Sequence, residues 1–460
     1  MTAFSDDPAG SFAVSRQYSW RVLLLLITAL TLGCSSESTG ASGDAIVTLD
    51  PSKRFQTIVG WETDPYIVEP PERVSPELVQ QIVRSAVENA GITRIRVPIR
   101  SGAETRSRAF AEHAAGGSND VWRTRRYLVA NDNGDPRLID WAGFDFTEID
   151  RHVELSVIPL RKELAARGQT LFVNLCYVGF VKGQRNAHDD PAEYAEFALA
   201  TVLHLRQKYG LEPNTWEVIL EPDLAGGWSG RRIGQAIVAT SRRFAENGIR
   251  TRFVAPSTTN MATASLYFDD MRRVTDALPH LAELSYHRYA GVSKGALAEL
   301  TKRSVKYHVP ISMLELWFGQ AGPDVLFDDL RAGAVAFQGR VLADLFVNAR
   351  KGDLTLNEDV RFNGAVFRAV RPGAVRIGST SGPSSLKSLA FTRPQGGIVT
   401  ALRATEPTNV TLRGLPLGKY MVTSVTKKGE SDDVPAKQSP NGNVEIRIEE
   451  PAVVVIEPAD

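Results

Sequence analysis

The chain has 460 residues, of which 43% are hydrophobic and 23% charged, so it is a globular chain long enough for one large domain and an accessory one. Its 53 Lys and Arg equal its 53 Asp and Glu in number, which argues against a nucleic-acid partner, because such proteins carry a basic excess. Only two cysteines occur, which excludes a framework of several disulfides, and a buried core must stabilise the fold.

The N-terminal residues are typical of an export signal. The apolar stretch VLLLLITALTL (22–32) follows basic residues and is too short for a membrane-spanning helix, which needs about 20 residues. Gly33-Cys34 resembles the cleavage site of bacterial lipoproteins, where the cysteine is lipidated, although the usual leucine lies one residue too far upstream. A signal peptide with an unrelated cysteine is the alternative. We expect lipidation at Cys34, a flexible tether at 35–43, and a protein anchored to a bacterial membrane, in the periplasm or at the cell surface, or otherwise secreted.

From residue 45 onward, short apolar runs alternate with longer segments of helical periodicity. The predicted strands are 55–61, 93–99, 170–177, 216–220, 251–256, 281–289, 310–317 and a weaker one at 353–356. The predicted helices are 76–91, 146–168, 191–210, 233–248, 264–278, 294–307, 327–350 and 364–370. Alternation of this kind indicates a parallel sheet, and eight strand–helix units over about 320 residues predict an α/β fold, the (β/α)8 TIM barrel.

The C-terminal part of the chain has a different pattern. Short alternating runs such as GGIVTALRA and KYMVTSVTKKG, separated by Gly, Pro and Asn, predict an antiparallel β-sandwich. The run DAIVTLD near the start is a candidate additional strand of it, at residues 44–50. The predicted organisation is therefore a signal segment (1–34), a tether (35–43), a barrel (44–372) and an accessory β-sandwich domain (373–460).

Two glutamates occupy the carboxyl ends of predicted barrel strands, where TIM-barrel active sites lie. Glu221 follows the strand WEVIL, which is interrupted only by Glu217, and Pro222 then ends strand pairing. Glu315 ends strand seven, so both carboxylates are expected to face one small molecule across the barrel mouth. Glycosidic bond cleavage needs such a pair, one carboxyl protonated and one ionised. Two polar strand ends without a catalytic role are the alternative.

Other side chains at strand ends fit the same site. Arg96 on strand two is expected to hold one carboxylate ionised, with Arg94 and Arg100 as alternatives for that role. His287 and Tyr289 end strand six, and the phenol of Tyr289 is placed to donate to the carboxylate of strand seven.

Several aromatic residues are predicted near the loops at the mouth. Trp61, Trp228, Trp317 and Tyr177 are candidates for packing on the apolar C–H faces of a sugar ring, and positions in the core are the alternative.

These segments, in this order, resemble glycoside hydrolase family 30 of clan A, the glucosylceramidase-like and xylanase-like enzymes. The motifs are FQTIVGWE, RVPI, LEPD, HRY, MLELW and FRAVRPGAVRIGS, and the resemblance spans residues 45–458. It implies a (β/α)8 barrel with a β-sandwich and a retaining β-glycosidase that needs no cofactor. It also implies that Glu221 is the acid/base and that Glu315 is the nucleophile.

The sequence departs from the family pattern at three places. Leu220 stands where the family has an Asn that binds the sugar 2-hydroxyl. Either Asn174 on strand three substitutes for it, or the substrate differs at that position, or activity is low. Strand one has Trp61-Glu62 where small residues are usual, and strand three lacks the Trp-Ser-Pro-Pro-like run.

Two rival functions remain open at this point. A catalytically impaired, carbohydrate-binding surface lipoprotein would explain Leu220. A metal-dependent barrel hydrolase is the other, but only seven His occur and none has H-x-H or HExxH spacing, so we expect no metal. The arginine-rich insertion at 101–141 either binds a uronate or sulfate or is simply solvated. The expected partners are an oligo- or polysaccharide substrate and, through the lipid anchor alone, a membrane.

Overall fold

A computed structural model describes residues 44–180, 186–317, 319–380, 382–431 and 433–459. The predicted signal segment, the tether and Cys34 lie outside the described residues. Within these ranges, every helix is too short or too polar to cross a membrane.

Eight parallel strands close into a barrel, which confirms the predicted fold class. After the first strand of the chain, β1 (Ala45–Thr57), the barrel strands follow in sequence order: β2 (Gly60–Asp64), β3 (Arg94–Arg100), β4 (Phe172–Val178), β5 (Thr215–Glu217), β6 (Arg252–Asn260), β7 (Leu281–Ala290), β8 (Ile311–Glu315) and β9 (Ala334–Val341). The barrel closes where β9 pairs with β2. All eight strands therefore direct their carboxyl ends to one mouth.

Local sequence signals mark the ends of several of the helices around the barrel. The helices are α1 (Pro76–Glu88), α2 (Ala109–Ala114), α3 (Asn119–Arg125), α4 (Thr147–His152), α5 (Ile158–Ala165), α6 (Pro191–Tyr209), α7 (Pro222–Ala225), α8 (Gly230–Glu246), α9 (Met261–Met271), α10 (Lys294–Tyr307), α11 (Pro323–Ala332) and α12 (Glu358–Ala369). In α6, for example, the Asp190 side chain accepts from the backbone of Ala192, Pro191 takes the first position, and left-handed Gly210 ends the helix.

The prediction for the eighth barrel strand is wrong. The segment at 327–350 is not one helix, because α11 stops at Ala332 and Gly333 turns the chain with φ 109°. The next residues, AVAFQGRV, form β9 between β8 and β2. The segment predicted as strand eight is instead β11 (Asp353–Leu356), which pairs outside the barrel with β10 (Phe346–Asn348).

The first predicted strand is displaced for a similar reason. Residues 55–57 of the predicted strand belong to β1, and the barrel strand starts only at Gly60. β1 pairs antiparallel with β12 and parallel with β15 of the C-terminal sheet, so its first residues are the additional strand that the sequence indicated.

The C-terminal residues build a mostly antiparallel β-sheet domain. Its strands after the barrel are β12 (Val375–Ser379), β13 (Leu386–Thr392), β14 (Ile398–Ala404), β15 (Thr408–Arg413), β16 (Tyr420–Thr426), β17 (Gly429–Glu430), β18 (Val434–Pro435), β19 (Val444–Ile448) and β20 (Ala452–Pro458). Alternating residues of these strands, such as Val410, Leu412 and Ile446, enclose a hydrophobic core of its own.

Candidate active site

Glu315 and Glu221 reach the barrel mouth by different local structures. Glu315 is the last residue of β8. Beyond the regular part of β5, the amide of Glu221 still donates to the carbonyl of Ser257, 3.1 Å away. Glu221 then adopts a left-handed conformation, with φ 49° and ψ 61°, before Pro222 opens α7. A left-handed non-glycine residue costs about 1–2 kcal/mol, and such strain clusters at functional sites.

The two carboxylates lie close together inside the mouth. One oxygen of Glu221, one oxygen of Glu315 and one ring nitrogen of His287 all lie within 4.8 Å of one another. The exposed fractions of the three residues are 1%, 2% and 0%. Carboxyl groups of retaining glycosidases are about 5–5.5 Å apart, whereas those of inverting enzymes are about 6.5–9.5 Å apart. The oxygens that come within 4.8 Å of each other are closer than either range, which refers to whole carboxyl groups, and the short approach lies nearer to the first range.

Both oxygens of Glu315 accept hydrogen bonds. Nη1 of Arg96 donates to Oε2 at 2.6 Å, and the hydroxyl of Tyr289 donates to Oε1 at 3.0 Å. The same hydroxyl accepts from the backbone amide of Trp317 at 3.3 Å. Burial raises the pKa of Glu315, while the positive charge of Arg96 opposes that rise. The two donors favour the ionised carboxylate and fix its orientation.

Glu221 has a different neighbour. Nδ1 of His287 lies 3.0 Å from Oε1 of Glu221. Burial lowers the pKa of His287, so the imidazole is neutral at pH 7 and carries one proton. If that proton is on Nδ1, His287 donates to Oε1, and Oε2 is the oxygen that carries an acidic proton. The pair of carboxyls thus has a fixed cation on one side and a neutral imidazole on the other.

Arg96 also pairs with a third carboxylate, Glu217, which sequence reasoning treated only as an interruption of an apolar strand. Nε and Nη2 of Arg96 each donate to one oxygen of Glu217 at 2.8 Å. Glu217 is completely buried. The signal that could have found it is the period of two along a strand, which puts residues 217 and 221 on one face.

Asp64 at the carboxyl end of β2 is a further side chain that sequence reasoning missed. Nε2 of Gln338 donates to its Oδ1 at 2.7 Å. Burial raises the pKa of Asp64 to about 8, against the opposing effect of Arg96 and with a contribution from Glu315. Asp64 is therefore a neutral acid at pH 7 beside the charged groups of the mouth.

The alternatives to Arg96 have other partners. Arg94 lies one layer deeper, where Nη1 and Nη2 donate to Glu283 at 2.6 and 3.0 Å and Nε donates to Glu62. Arg100 pairs with Glu148. Of the three arginines, Arg96 is the one that donates to Glu315.

The described residues contain one group that could hold a metal ion by spacing alone: Glu221, His287 and Glu315. Oε2 of Glu315 lies 2.6 Å from the guanidinium of Arg96, and its other oxygen accepts from Tyr289. A cation bound here would compete with a fixed positive charge, so the donor set suits paired carboxylates better than metal coordination.

No protein-family profile and no curated protein matches the sequence. Solved structures do match. The catalytic domain of GH30 xylanase C from Talaromyces cellulolyticus superposes with a TM-score of 0.66 and 15% identity, covering 90% of this chain and 100% of that chain. A GH30 endoxylanase from Clostridium papyrosolvens C71 gives 0.63 and 15%, covering 91% and 100%. An endo-β1,6-glucanase gives 0.61 and 14%, covering 90% and 94%.

The chain has a family 30-like glycoside hydrolase fold. This confirms the likeness that its motifs indicated.

Three residues predicted to bind substrate are placed elsewhere in this fold. Trp61 is fully buried, donates to the carbonyl of Val370 at 2.7 Å, and stacks on Phe367. Trp61 is the second residue of β2, and because Phe367 belongs to α12, the indole faces the outer helix layer. Trp228 is buried against the ring of Tyr177 and under the guanidinium of Arg232. Both tryptophans pack against other side chains of the hydrophobic core.

Asn174 is the third residue. It is completely buried, its Nδ2 donates to Glu217 at 3.1 Å, and its Oδ1 accepts from Thr215 at 2.8 Å. Both ends of the amide are engaged, so Asn174 does not replace the family's missing Asn. Trp317, by contrast, is half-buried two residues after Glu315.

Leu220 lies in an apolar cluster at the β4 and β5 side of the mouth. The cluster contains Tyr127 from the insertion, Cys176, Val178, Phe180 and Leu220. A partly exposed apolar wall therefore stands next to Glu221, where the family has an amide.

Proposed function

We propose that the chain is a retaining β-glycosidase that hydrolyses O-glycosidic bonds of a β-linked oligo- or polysaccharide. The observation that carries the proposal is the approach of Glu221 and Glu315 to within 4.8 Å in a buried barrel mouth. The xylanases and the glucanase that share the fold act on polysaccharides by their names, which supports a glycan substrate.

In the first step, Glu315 attacks the anomeric carbon while Glu221 protonates the leaving oxygen, so that one C–O bond forms and one breaks. Arg96 and Tyr289 hold Glu315 as an oriented anion for this attack. In the second step, Glu221 accepts a proton from water, the water oxygen bonds to the anomeric carbon, and Glu315 leaves as a carboxylate.

Of the three explanations for Leu220, we favour a substrate that differs at the position next to the anomeric carbon. The apolar cluster around Leu220 supports this, because it offers contact surface instead of a hydrogen bond. The alternative function is a catalytically impaired carbohydrate-binding protein, which the same replacement would explain.

Export remains a proposal that rests on residues 1–34 alone. We propose that the signal is cleaved before Cys34, that this cysteine carries lipid, and that residues 35–43 tether the barrel to a bacterial membrane. Membrane fractionation of wild type and Cys34→Ala tests this, with the wild type expected in the membrane fraction and the variant released.

The proposed function is tested with aryl β-glycosides and a panel of β-linked polysaccharides. Wild type is expected to release sugar with retained anomeric configuration, read by proton NMR of the first product. Glu221→Gln and Glu315→Gln are expected to lose at least about 100-fold in kcat, because each removes a group of the double displacement. Inverted product, or full activity in either variant, would contradict the assigned roles.

A further inference from the structure

Glu217 is a buried carboxylate that the mechanism above does not use. It lies on β5 and is completely buried, and Arg96 engages both of its oxygens. Its two oxygens accept from Nε and Nη2 of Arg96, and the third nitrogen of that guanidinium, Nη1, donates to Glu315. One cation is thus shared between Glu217 and the proposed nucleophile.

Several neighbours hold Glu217 in its ionised form. Asn174 donates to Oε2 at 3.1 Å and is itself fixed by the hydroxyl of Thr215. Burial acts to raise the pKa of Glu217, but Arg96, with help from the hydroxyl of Ser257, holds that pKa below its ordinary value. Glu217 is therefore an anion at pH 7 and stays ionised to lower pH than an ordinary glutamate.

We propose that Glu217 is a positioning residue that sets the proton affinity of Glu315 through Arg96. The inference rests on the proposed function. A guanidinium that paired with Glu315 alone would stabilise its anion strongly, and a strongly stabilised carboxylate is a weak nucleophile. Because Glu217 takes two of the three hydrogen bonds that Arg96 makes to carboxylates, the charge that reaches Glu315 is reduced.

The charge balance extends this effect to Glu221. Glu217, Arg96 and an ionised Glu315 sum to one negative charge, and of these three groups the carboxylate of Glu315 lies within 4.8 Å of a Glu221 oxygen. A negative charge at this distance favours the protonated acid that Glu221 must be in the first step. Without the charge of Glu217, the sum is zero, and both carboxyls would release their protons at lower pH.

The test is the pH profile of kcat/KM for Glu217→Gln on an aryl β-glycoside. Both limbs of the profile are expected to move about one unit toward acidic pH, because a charge within about 4–6 Å of a carboxyl group shifts its pKa by about 1–3 units and Glu217 acts from one residue further away, through Arg96. At the wild-type optimum kcat/KM is expected to fall about 10-fold, since the nucleophile is weaker and the acid is partly deprotonated. Limb positions do not depend on the concentration of folded enzyme, so partial unfolding does not mimic the shift.

The chain offers a matched control. Glu283 makes the same two-pronged pair with Arg94, one layer deeper, and Arg94 does not contact Glu315. Glu283→Gln is expected to lower the melting temperature and leave both limbs in place. Glu217→Asp keeps the charge and is expected to keep the limbs near wild type. Glu217→Ala is a second neutral variant, for use if the glutamine variant does not accumulate.

If the neutral Glu217 variants have pH profiles whose limbs lie at the same pH as those of wild type and of Glu283→Gln, the inference is overturned. This result leaves the proposed function intact, provided that wild type turns over and Glu221→Gln does not. A wild type without turnover on any β-glycoside overturns the proposed function and this inference together.

Discussion

Tyr289→Phe removes one hydroxyl from the site and leaves the ring in place. That hydroxyl donates to Oε1 of Glu315 at 3.0 Å and accepts from the amide of Trp317 at 3.3 Å. A hydrogen bond to a charged group contributes about 1.5–3 kcal/mol, and about 1.4 kcal/mol corresponds to a factor of ten. The expected loss in kcat is therefore about 10- to 150-fold.

The step in which this loss occurs follows from where charge develops. In the second step Glu315 regains its negative charge, and the hydroxyl of Tyr289 stabilises it. We therefore expect Tyr289→Phe to slow release of the glycosyl-enzyme, so that kcat and KM fall together and an aryl glycoside with a good leaving group gives a burst. The missing donor also raises the pKa of Glu315, so the acidic limb of kcat/KM moves up by about one to two units.

Tyr286→Phe is the control for this change. Tyr286 lies on the same strand, but its hydroxyl donates to Asp329 of α11 at 2.8 Å, outside the barrel. The control is expected to lower the melting temperature without changing kcat or the acidic limb. An unchanged kcat in Tyr289→Phe, or the same kinetic change in both variants, would refute the reasoning.

Three other substitutions test single points of the account. Leu220→Asn supplies the amide that the family resemblance implies. It is expected to raise kcat/KM about 2- to 10-fold on glycosides with a free 2-hydroxyl. No gain would mean that the apolar cluster around Leu220 does not lie beside the 2-hydroxyl of the sugar. Trp61→Phe loses the hydrogen bond from the indole to the carbonyl of Val370. It is expected to lower the free energy of unfolding, measured in urea, by about 1–3 kcal/mol and to leave KM unchanged. A raised KM would indicate that Trp61 contacts substrate. Burial raises the pKa of Glu196 from 4.5 to about 8, so the contribution of this group to stability falls as pH rises between these values. Glu196→Gln is therefore expected to have a higher melting temperature than wild type at pH 8 and the same melting temperature near pH 4. Equal melting temperatures at pH 8 would contradict this.

The sequence predicted the architecture well where strands are marked at both ends. The boundaries around β8 were recoverable because Pro310 precedes the strand and Glu315 follows an apolar run. The last barrel strand was missed because β9 is buried on both faces and lacks the alternation that distinguishes a strand from a helix interior.

Sequence patterns indicated the residues that surround Glu315, but they did not indicate where Trp61 and Trp228 lie. Glu221 and Tyr289 stand at or just beyond the carboxyl ends of strands, Arg96 lies within β3, and barrel topology brings such positions together. Whether Trp61 faces a mouth or a helix layer depends on the register and tilt of its strand, which no local pattern records. Glu217 was overlooked because its partner, Arg96, lies 121 positions away in the chain.

The central claim is that Glu315 forms a covalent bond to the sugar while Glu221 supplies and removes the proton. Glu221→Gln slows the second step, so incubation with an activated aryl β-glycoside should trap the intermediate. Mass spectrometry of the digested protein is then expected to find one glycosyl unit on the peptide that carries Glu315. A label on a different residue, or none while wild type still turns the substrate over, would contradict the account.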